Sequence, residues 1–405
     1  MNKQIKSLGI FWENLEYGGM STHINDLVNN DIFKDVKFVI FTNNDNEGLK
    51  QIKIADNERI KIIKYFSLNT IKINNFLLKV LYFVFKPLFF ILSIIQSYRI
   101  LKSHKFDIFL GLCGGYGNFR TEMAAIIAAK YLKYSSISIS IHHCYAKPII
   151  GKTFLFFINF LISKFSKTIL FQSNAVKDNI EKNTNLLKNN KNYEVIHLGV
   201  SRPKNINGDM ELLNNIFNKQ NKDIYKIGML SRIEESKGHL DLVEAVDKLS
   251  IEDKNKIRIY FIGEGTKKEL VKLKNKINTL NLNNFFIFTG YLQIDSIKIL
   301  SKLDLFLSLT KTFEGFGLSL AQSLYAGTPV LSTNVGAVTE FLNNKNSVII
   351  KPNNINEISK YLVDFIENRE DWKKRAEIGK KNIQDNFTSD IMCKKIYNHF
   401  QKILD

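Results

Sequence analysis

Residues 305–333, LFLSLTKTFEGFGLSLAQSLYAGTPVLST, are the part of the chain best suited to bind an anion. A buried strand is predicted at 305–309, a loop with Gly315 and Gly317 follows, and a helix is predicted to begin near Leu318. Glycines let backbone N–H groups approach an anion closely, and a helix N-terminus adds free N–H groups and partial positive charge. A diphosphate is therefore the expected ligand of this loop. The predicted contacts are Gly315, Phe316, Gly317 and Leu318.

Two polar side chains flank this predicted anion site. Glu314 directly precedes the loop, where its carboxylate would repel a phosphate but would accept hydrogen bonds from sugar hydroxyls beside it. Gln322 lies eight positions later on the predicted helix, where its amide would bond a ribose hydroxyl. The helix is predicted to end at Ala326-Gly327, before a strand that opens at Pro329.

A second loop, in GMLSRIEESKGHLDLVEAV, carries Arg232 and Lys237 between a predicted strand and a helix. Two cations a few residues apart can stabilise the negative charge that develops on a leaving diphosphate. Two solvated loop charges are the alternative interpretation.

Three further positions follow predicted strands. Gly18-Gly19 lies between the first strand and a helix predicted near Met20, and Gly265 ends the strand-glycine segment FIGEG. His142 ends the strand SSISISIHH, and ligand clefts form at the carboxyl ends of parallel strands. His142 is the predicted functional histidine, with His143 as the alternate.

The segment EGFGLSLAQSLYAGTPVLSTNVGAVTEF resembles the signature of the retaining glycosyltransferases of the GT-B superfamily, often called family 4. That pattern is Glu, seven residues, Glu, then Ala-Gly-Thr-Pro-Val and a glycine turn that leads to a Glu. The resemblance implies the GT-B fold, in which two Rossmann-like doubly wound α/β domains face each other across a cleft. It also implies a UDP- or GDP-sugar donor and a glycan or lipid-linked acceptor, in the synthesis of surface polysaccharides or glycoconjugates.

The resemblance also assigns roles to individual residues. Glu314 would contact the donor hexose, and Gln322 stands where the family's second Glu binds the ribose, which is a departure from the pattern. Arg232 and Lys237 would stabilise the leaving diphosphate. The acceptor side would contribute His142, and Gly18, Gly19 and Gly265 would face the donor.

No DxD motif occurs, so a metal has no visible ligands and none is expected. The two loop cations and the helix N-terminus would take over its role. Retention of anomeric configuration is implied only by the resemblance, with a front-face mechanism in which the leaving phosphate helps to deprotonate the acceptor.

Short β-rich runs alternate with helical patterns along the 405 residues, which predicts parallel sheets covered by helices. The predicted domains are an acceptor domain at 1–205, a nucleotide-sugar domain at 206–385, and a helix at 386–405 that packs back on the first domain. The predicted strands lie at 8–12, 37–42, 60–66, 107–113, 135–142, 168–173, 193–198, 226–231, 258–263, 285–289, 305–309, 329–333 and 348–350.

The composition, 45% hydrophobic and 24% charged, is that of a globular protein. The three cysteines form no CxxC pattern and are expected to be buried thiols in a reducing cytoplasm. The first residues, up to Trp12, are interpreted as a strand rather than a signal peptide.

The net charge of +18 reflects either compositional bias or an anionic partner, for which a membrane surface ranks above nucleic acid. Two apolar segments carry lysines. Segment 76–100 contains Lys79, Lys86 and Pro87, which disfavour a membrane span, and segment 149–167 has lysines at its flanks. Each would pack in a core or lie in a bilayer interface, and the interface is favoured. The expected location is the cytoplasm, peripheral to the inner face of the cell membrane.

Three other functions rank below an active transferase. A sugar-nucleotide 2-epimerase shares the architecture but fits the EGFGL segment less well. A degenerate binding subunit is suggested by Gln322 and opposed by Glu314, Arg232 and Lys237. Nucleic-acid binding rests on charge alone and ranks last.

Overall fold

A computed structural model describes residues 4–14, 18–52, 58–68, 76–148, 151–188, 190–203, 209–217 and 224–404. The chain divides into two compact units. Unit 1 comprises residues 1–199 and 389–405, and unit 2 comprises residues 200–388.

Unit 1 is built on a parallel seven-stranded sheet with helices between the strands. Its strands are β1 (Ser7–Phe11), β2 (Lys37–Asn43), β3 (Ile60–Tyr65), β4 (Ile108–Cys113), β6 (Ile137–Ile141), β8 (Thr168–Phe171) and β9 (Tyr193–Val195), with β5 (Tyr116–Gly117) and β7 (Tyr145–Ala146) pairing separately. Its α-helices are α1 (Gly19–Asn29), α2 (Phe76–Val84), α3 (Lys86–Leu101), α4 (Thr121–Tyr131), α5 (Lys152–Phe165), α6 (Asn174–Asn183) and α15 (Ser389–Leu404), and 3-10 turns lie at Asp31–Phe33 and Glu47–Gln51.

Unit 2 is built on a parallel six-stranded sheet. Its strands are β10 (Tyr225–Leu230), β11 (Ile257–Ile262), β12 (Phe286–Gly290), β13 (Leu305–Ser308), β14 (Val330–Thr333) and β15 (Val348–Ile350). Its α-helices are α7 (Asp209–Phe217), α8 (His239–Asp247), α9 (Ile251–Asn255), α10 (Lys267–Thr279), α11 (Ser296–Leu300), α12 (Leu318–Ala326), α13 (Ile355–Glu367) and α14 (Arg369–Asn386), and 3-10 turns lie at Glu235–Lys237, Asn283–Phe285 and Val338–Glu340.

The two sheets share one topology. The strand order is β3-β2-β1-β4-β6-β8-β9 in unit 1 and β12-β11-β10-β13-β14-β15 in unit 2, so each order reverses beside the unit's first strand. This is the doubly wound Rossmann order, in which ligands bind at the carboxyl ends of the strands where the order reverses. The predicted α/β fold with two doubly wound units is confirmed. Each predicted strand is also present, shifted by at most three residues at either end.

The sheets are covered on both faces, which explains their near-continuous apolar strands. All six residues of β4 are buried, as are Leu305, Phe306 and Leu307 of β13. Helix ends follow local signals. Thr266 and Glu269 form a capping box at the start of α10, and Gly327, with φ 82°, ends α12.

The connections between the units differ from the predicted boundaries. The chain leaves unit 1 after Gly199 and re-enters it at Ser389, and the predicted boundary at 205/206 lies outside the described residues. Within unit 2, the Val200 N–H donates to the Phe387 carbonyl at 2.8 Å, which ties both ends of this unit together. Helix α15 belongs to unit 1, where His399 lies 2.8 Å from the Thr168 hydroxyl.

The apolar segment predicted at 76–100 is divided into α2 and α3 at Phe85, with Pro87 in the first turn of α3. Segment 149–167 contains α5, and residues 149 and 150 lie outside the described residues. Within the described ranges, no helix has both the length and the apolar character that a membrane crossing requires.

Candidate functional site

The predicted loops of unit 2 meet because β10 and β13 are neighbours in the sheet. Both strands run in the same direction, so the loop after β10 and the loop after β13 leave the sheet at the same edge. This edge lies at the point where the strand order reverses, the usual position of a ligand site in such sheets.

An ion pair joins the two loops. Lys237 Nζ lies 3.0 Å from Glu314 Oε2, and the Thr310 hydroxyl donates to the same oxygen at 3.1 Å. The two charged side chains are only 22% and 20% exposed, so solvent screens their interaction less than that of a surface pair. Lys237 therefore offsets the negative charge of Glu314 next to the helix that an anion would approach.

Backbone contacts hold the Glu314 loop in place from both sides. The Lys311 N–H donates to the Ser236 carbonyl at 2.8 Å, and the Ala337 N–H donates to the Glu314 carbonyl at 2.9 Å. Gly336 has φ +58°, and a Cβ there would lie 2.1 Å from the Glu314 carbonyl oxygen. A side chain at position 336 would thus displace Glu314, which explains the glycine in the turn after β14.

Glycine is also required in the loop that carries Lys237. Gly238 has φ +79°, and a Cβ there would lie 2.3 Å from the Leu309 carbonyl oxygen. The close approach brings the first turn of α8 against the end of β13, and Lys237 directly precedes it. Sequence reasoning did not single out Gly238, although a glycine directly before a helix was a usable signal.

Arg232 lies in the same loop but does not join the Lys237–Glu314 pair. Its guanidinium lies 3.6 Å from Glu234, and its side chain is 57% exposed. The structure therefore brings two of the three predicted charged residues of unit 2 into contact and places the third toward solvent.

The other predicted donor contacts of unit 2 take different positions. Gly317 caps α12 with φ +90°, Leu318 begins the helix, and Gln322 is half-buried one turn further on. The Phe316 ring is buried and packs 5.1 Å from the Phe341 ring, and a donor contact by the backbone of this residue stays a prediction. Gly315 is buried beside it.

Packing accounts for the glycines of the FIGEG segment. A Cβ on Gly265 would lie 2.3 Å from the Ile233 carbonyl oxygen, and one on Gly263 would lie 2.1 Å from that of Ser231. Both glycines thus allow the end of β11 to approach the loop of Arg232. A donor contact by Gly265 stays a prediction.

In unit 1, the predicted histidine lies at the carboxyl edge of the sheet. His142 directly follows β6, is buried, and its Nε2 lies 2.9 Å from the Ser140 hydroxyl. Its ring lies 4.8 Å from that of His23 on α1. Burial lowers the pKa of His142 to about 4, against a hydrogen bond with the Gln172 side chain that raises it, so the ring is neutral near pH 7.

His23 was not among the predicted residues. It lies on α1, and burial, followed by the neighbouring His142, lowers its pKa well below the ordinary value. Its place four residues after Gly19 on a predicted helix was the available signal, but only the fold shows that it faces His142. The alternate, His143, is exposed and contacts Cys144 at 3.2 Å.

Gly18 and Gly19 are exposed at the start of α1, and a Cβ on Gly18 would meet no atom of the described residues within 4 Å. Packing therefore does not explain glycine at position 18, which leaves room for a ligand. Residues 15–17, just before it, lie outside the described residues. Contact of Gly18 or Gly19 with the donor phosphates stays a prediction.

A buried polar cluster at the same edge of unit 1 was also missed. The Tyr65 hydroxyl donates to Glu13 Oε1 at 2.6 Å, and Arg120 donates to both carboxylate oxygens of Glu122 at 3.1 and 2.9 Å. Burial, and next the charge of Glu122, raises the pKa of Glu13. Glu13 follows β1 by two residues, so a carboxylate just past a strand end was the signal that sequence reasoning overlooked.

The buried neutral His142 makes stability depend on pH. Unfolding restores its ordinary pKa of 6.5, so between pH 6.5 and about 4 the unfolded chain binds more protons and stability falls as the pH falls. The wild type should lose on the order of 3 kcal/mol of its free energy of unfolding through His142 as the pH falls, since one pKa unit corresponds to 1.36 kcal/mol. We expect His142→Asn to abolish this loss.

Thermal unfolding of both proteins from pH 7 to 4.5 measures this effect. The His142→Asn protein should lose less of its midpoint temperature than the wild type, and His143→Asn, which changes the exposed neighbouring ring, is the matched control. Parallel pH curves for His142→Asn and the wild type would contradict the neutral buried state.

The geometry of unit 2 can be compared with known proteins. A model of the family described as glycosyl transferases group 1 matches residues 213–385, which include Arg232, Lys237, Glu314 and Gln322. The match spans less than half of the chain, so this part of the chain is similar to that family. The narrower assignment to family 4 stays a prediction.

Curated relatives point to the same family. An uncharacterized glycosyltransferase of Methanocaldococcus jannaschii is 26% identical over 249 residues, which are 60% of this chain and 60% of that protein. The match thus spans less than two thirds of the relative's length.

Solved structures share the fold over nearly the whole chain. The Anabaena protein HepE in complex with UDP and glucose has a TM-score of 0.76 and 15% identity, covering 97% of this chain and 98% of that one. A glycosyltransferase from Rickettsia africae has a TM-score of 0.76 and 21% identity, with 100% of both chains covered. These structures show the GT-B fold for this chain.

Proposed function

We propose that this protein transfers a sugar from a UDP- or GDP-sugar to a hydroxyl of a glycan or lipid-linked acceptor, with retention of configuration. The observation that carries the proposal is the Lys237–Glu314 pair beside the N-terminus of α12, at the edge of the sheet where ligands bind. The complex of the similar HepE with UDP and glucose supports this class of donor.

In the proposed reaction, the bond between the anomeric carbon and the diphosphate oxygen breaks, and the acceptor oxygen bonds to the same carbon. The acceptor proton passes to the leaving phosphate. Lys237, Arg232 and the N–H groups at the start of α12 would stabilise the charge that grows on the diphosphate. Glu314 would accept hydrogen bonds from the donor hexose, which positions the anomeric carbon.

We also propose that the reaction needs no metal ion. The described residues contain no group of three or more His, Cys, Asp and Glu side chains arranged to hold one. The cations Arg232 and Lys237 would supply positive charge in its place.

We further propose a role in surface polysaccharide or glycoconjugate synthesis at the cytoplasmic face of the membrane. The cysteines Cys113, Cys144 and Cys393 are free thiols, which agrees with a reducing compartment. The acceptor would bind at the edge of unit 1 that carries His142.

A panel of UDP- and GDP-sugars tests this function. Binding by calorimetry and slow hydrolysis of one donor, unchanged in excess EDTA, are expected for wild-type protein. Loss of hydrolysis in EDTA that returns with a divalent ion would contradict the metal-free proposal. Failure of every donor to bind, or conversion of the donor to its 2-epimer without transfer, would contradict the transferase.

Gln322 offers a test of the nucleotide contact. Gln322→Glu restores a charged acceptor, and a hydrogen bond to a charged group contributes about 1 kcal/mol more than a neutral one, so nucleoside diphosphate affinity should rise on the order of fivefold to tenfold. Gln322→Ala should bind more weakly than the wild type. Calorimetry with UDP and GDP ranks the three proteins, and weaker binding by Gln322→Glu than by wild type would assign the amide to another donor feature.

A further inference from the structure

Helix α3 has an inverted distribution of polar and apolar side chains. Ser93 and Ser97 are buried at 0% and 1% exposure, whereas Ile91, Leu92 and Ile95 are 44%, 40% and 47% exposed. The two serines face inward because α3 packs closely on α4, and small side chains permit that approach. Ile91, Leu92 and Ile95 lie on the opposite side of the helix and point away from the protein, whereas Phe90 is buried.

The exposed apolar surface extends beyond α3. Helix α5 likewise exposes Phe156, Phe157 and Phe160 on one face. We call this set of exposed side chains the apolar face. It comprises Val80, Leu81, Val84, Phe85, Leu88, Ile91, Leu92, Ile95, Tyr98, Phe156, Phe157 and Phe160.

The helices of the apolar face lie in one layer. The connections from β3 to β4, β4 to β6 and β6 to β8 all cross the sheet in the same direction, and such crossovers are right-handed, so α3, α4 and α5 cover the same side of the sheet. Helix α4 contacts both neighbours, and the Phe90 and Phe154 rings join α3 to α5 at 6.3 Å. A large number of exposed apolar side chains on neighbouring helices indicates an interaction surface.

Charge indicates what covers the apolar face. No Asp or Glu occurs between Glu58 and Asp107 or between Glu122 and Asp178, so both segments are purely basic. Arg99, Lys152 and Lys164 are exposed on α3 and α5. A second copy would bring these like charges together, whereas lipid phosphates would neutralise them, and long basic side chains extend readily to headgroups.

We propose that the apolar face is a docking surface for an anionic bilayer. Its aliphatic and aromatic side chains enter the boundary between headgroups and acyl chains, while Arg99, Lys152 and Lys164 contact lipid phosphates. This inference does not depend on sugar transfer, because it concerns a surface of unit 1 and is tested by binding alone.

Flotation of full-length protein with vesicles tests the apolar contribution. Wild type should float with vesicles of phosphatidylcholine and phosphatidylglycerol, but not with phosphatidylcholine alone. Leu88→Gln/Ile91→Gln/Ile95→Gln should lower the partition coefficient at least about tenfold. The matched control is Ile251→Gln/Ile378→Gln, which removes side chains of 68% and 51% exposure from unit 2 and should bind as wild type does.

The charge contribution is tested separately. Lys152→Gln/Lys164→Gln should lower binding about fivefold for each lysine at low salt, and added salt should weaken wild-type binding. Lys267→Gln/Lys268→Gln changes two exposed lysines of unit 2 and is the control.

Circular dichroism and melting curves establish that each variant is folded, which is expected because the changed side chains are exposed. Equal vesicle binding by the triple variant and the wild type would overturn the proposal. A second result would also overturn the proposal. If the wild type does not bind vesicles but forms a dimer in analytical ultracentrifugation, and the triple variant does not form this dimer, a second copy of the chain covers the apolar face.

Discussion

Replacing Glu314 by alanine is expected to lower kcat/KM for sugar transfer by at least about a hundredfold, because the carboxylate would position the hexose for attack. Binding of the free nucleoside diphosphate should not weaken. In the structure the Glu314 carboxylate forms an ion pair with Lys237 at 3.0 Å. Removing the carboxylate leaves the Lys237 ammonium available to phosphate and removes a negative charge beside the nucleotide. Loss of transfer with retained nucleotide binding is therefore the signature of this site.

A surface ion pair of unit 2 provides the control. Glu244 lies 2.9 Å from Lys276, and both side chains are well exposed, so Glu244→Ala should leave transfer unchanged. Steady-state kinetics with the donor found in the panel and calorimetry with its nucleoside diphosphate measure the two properties. Near-normal turnover by folded Glu314→Ala protein would remove Glu314 from the donor site.

Replacing Lys237 by alanine is expected to lower kcat by about 10²–10³-fold, the usual effect of removing one group that stabilises charge in the transition state. KM should change less, because the charge on the diphosphate grows as the bond to the sugar breaks. Arg232→Ala should act in the same direction with a smaller effect, since its side chain is 57% exposed and that of Lys237 only 22%.

Single-turnover kinetics separate the chemical step from binding, and Lys276→Ala, the other half of the surface pair, is the matched control. The Lys237→Ala/Glu314→Ala double variant should lose less than the product of the single losses, because the two side chains are in contact. A raised KM with unchanged kcat in Lys237→Ala would instead make Lys237 a group that binds substrate and transition state equally.

The sequence by itself determined the order and type of the main elements, and it predicts an anion site in the glycine loop between β13 and α12. Alternation of apolar strands with helical patterns is a local property, and central strands such as β4 and β13 are each marked by a run of buried residues. The glycines before α12 and the position of Glu314 follow from the same local rules, because a strand, a glycine turn and a helix N-terminus are adjacent in the chain.

Only the tertiary structure decided which distant residues meet. Lys237 reaches Glu314 because β10 and β13 are neighbours in the sheet, although 77 positions separate them in the chain. The contact of His23 with His142 and the cluster of Glu13 with Glu122 arise in the same way, from strand order and not from spacing. Strand order depends on the packing of a whole layer, which no local pattern contains.

The same reason explains the apolar face. A helical pattern of Ile, Leu and Ser on α3 is compatible with either face being buried, and the sequence favoured bilayer contact for this segment without deciding which side chains are exposed. The close approach of α4 favours the small Ser93 and Ser97 at that contact, which leaves the large side chains outside. The packing partner, and not the composition of the helix, therefore decides which of its sides is free to meet a membrane.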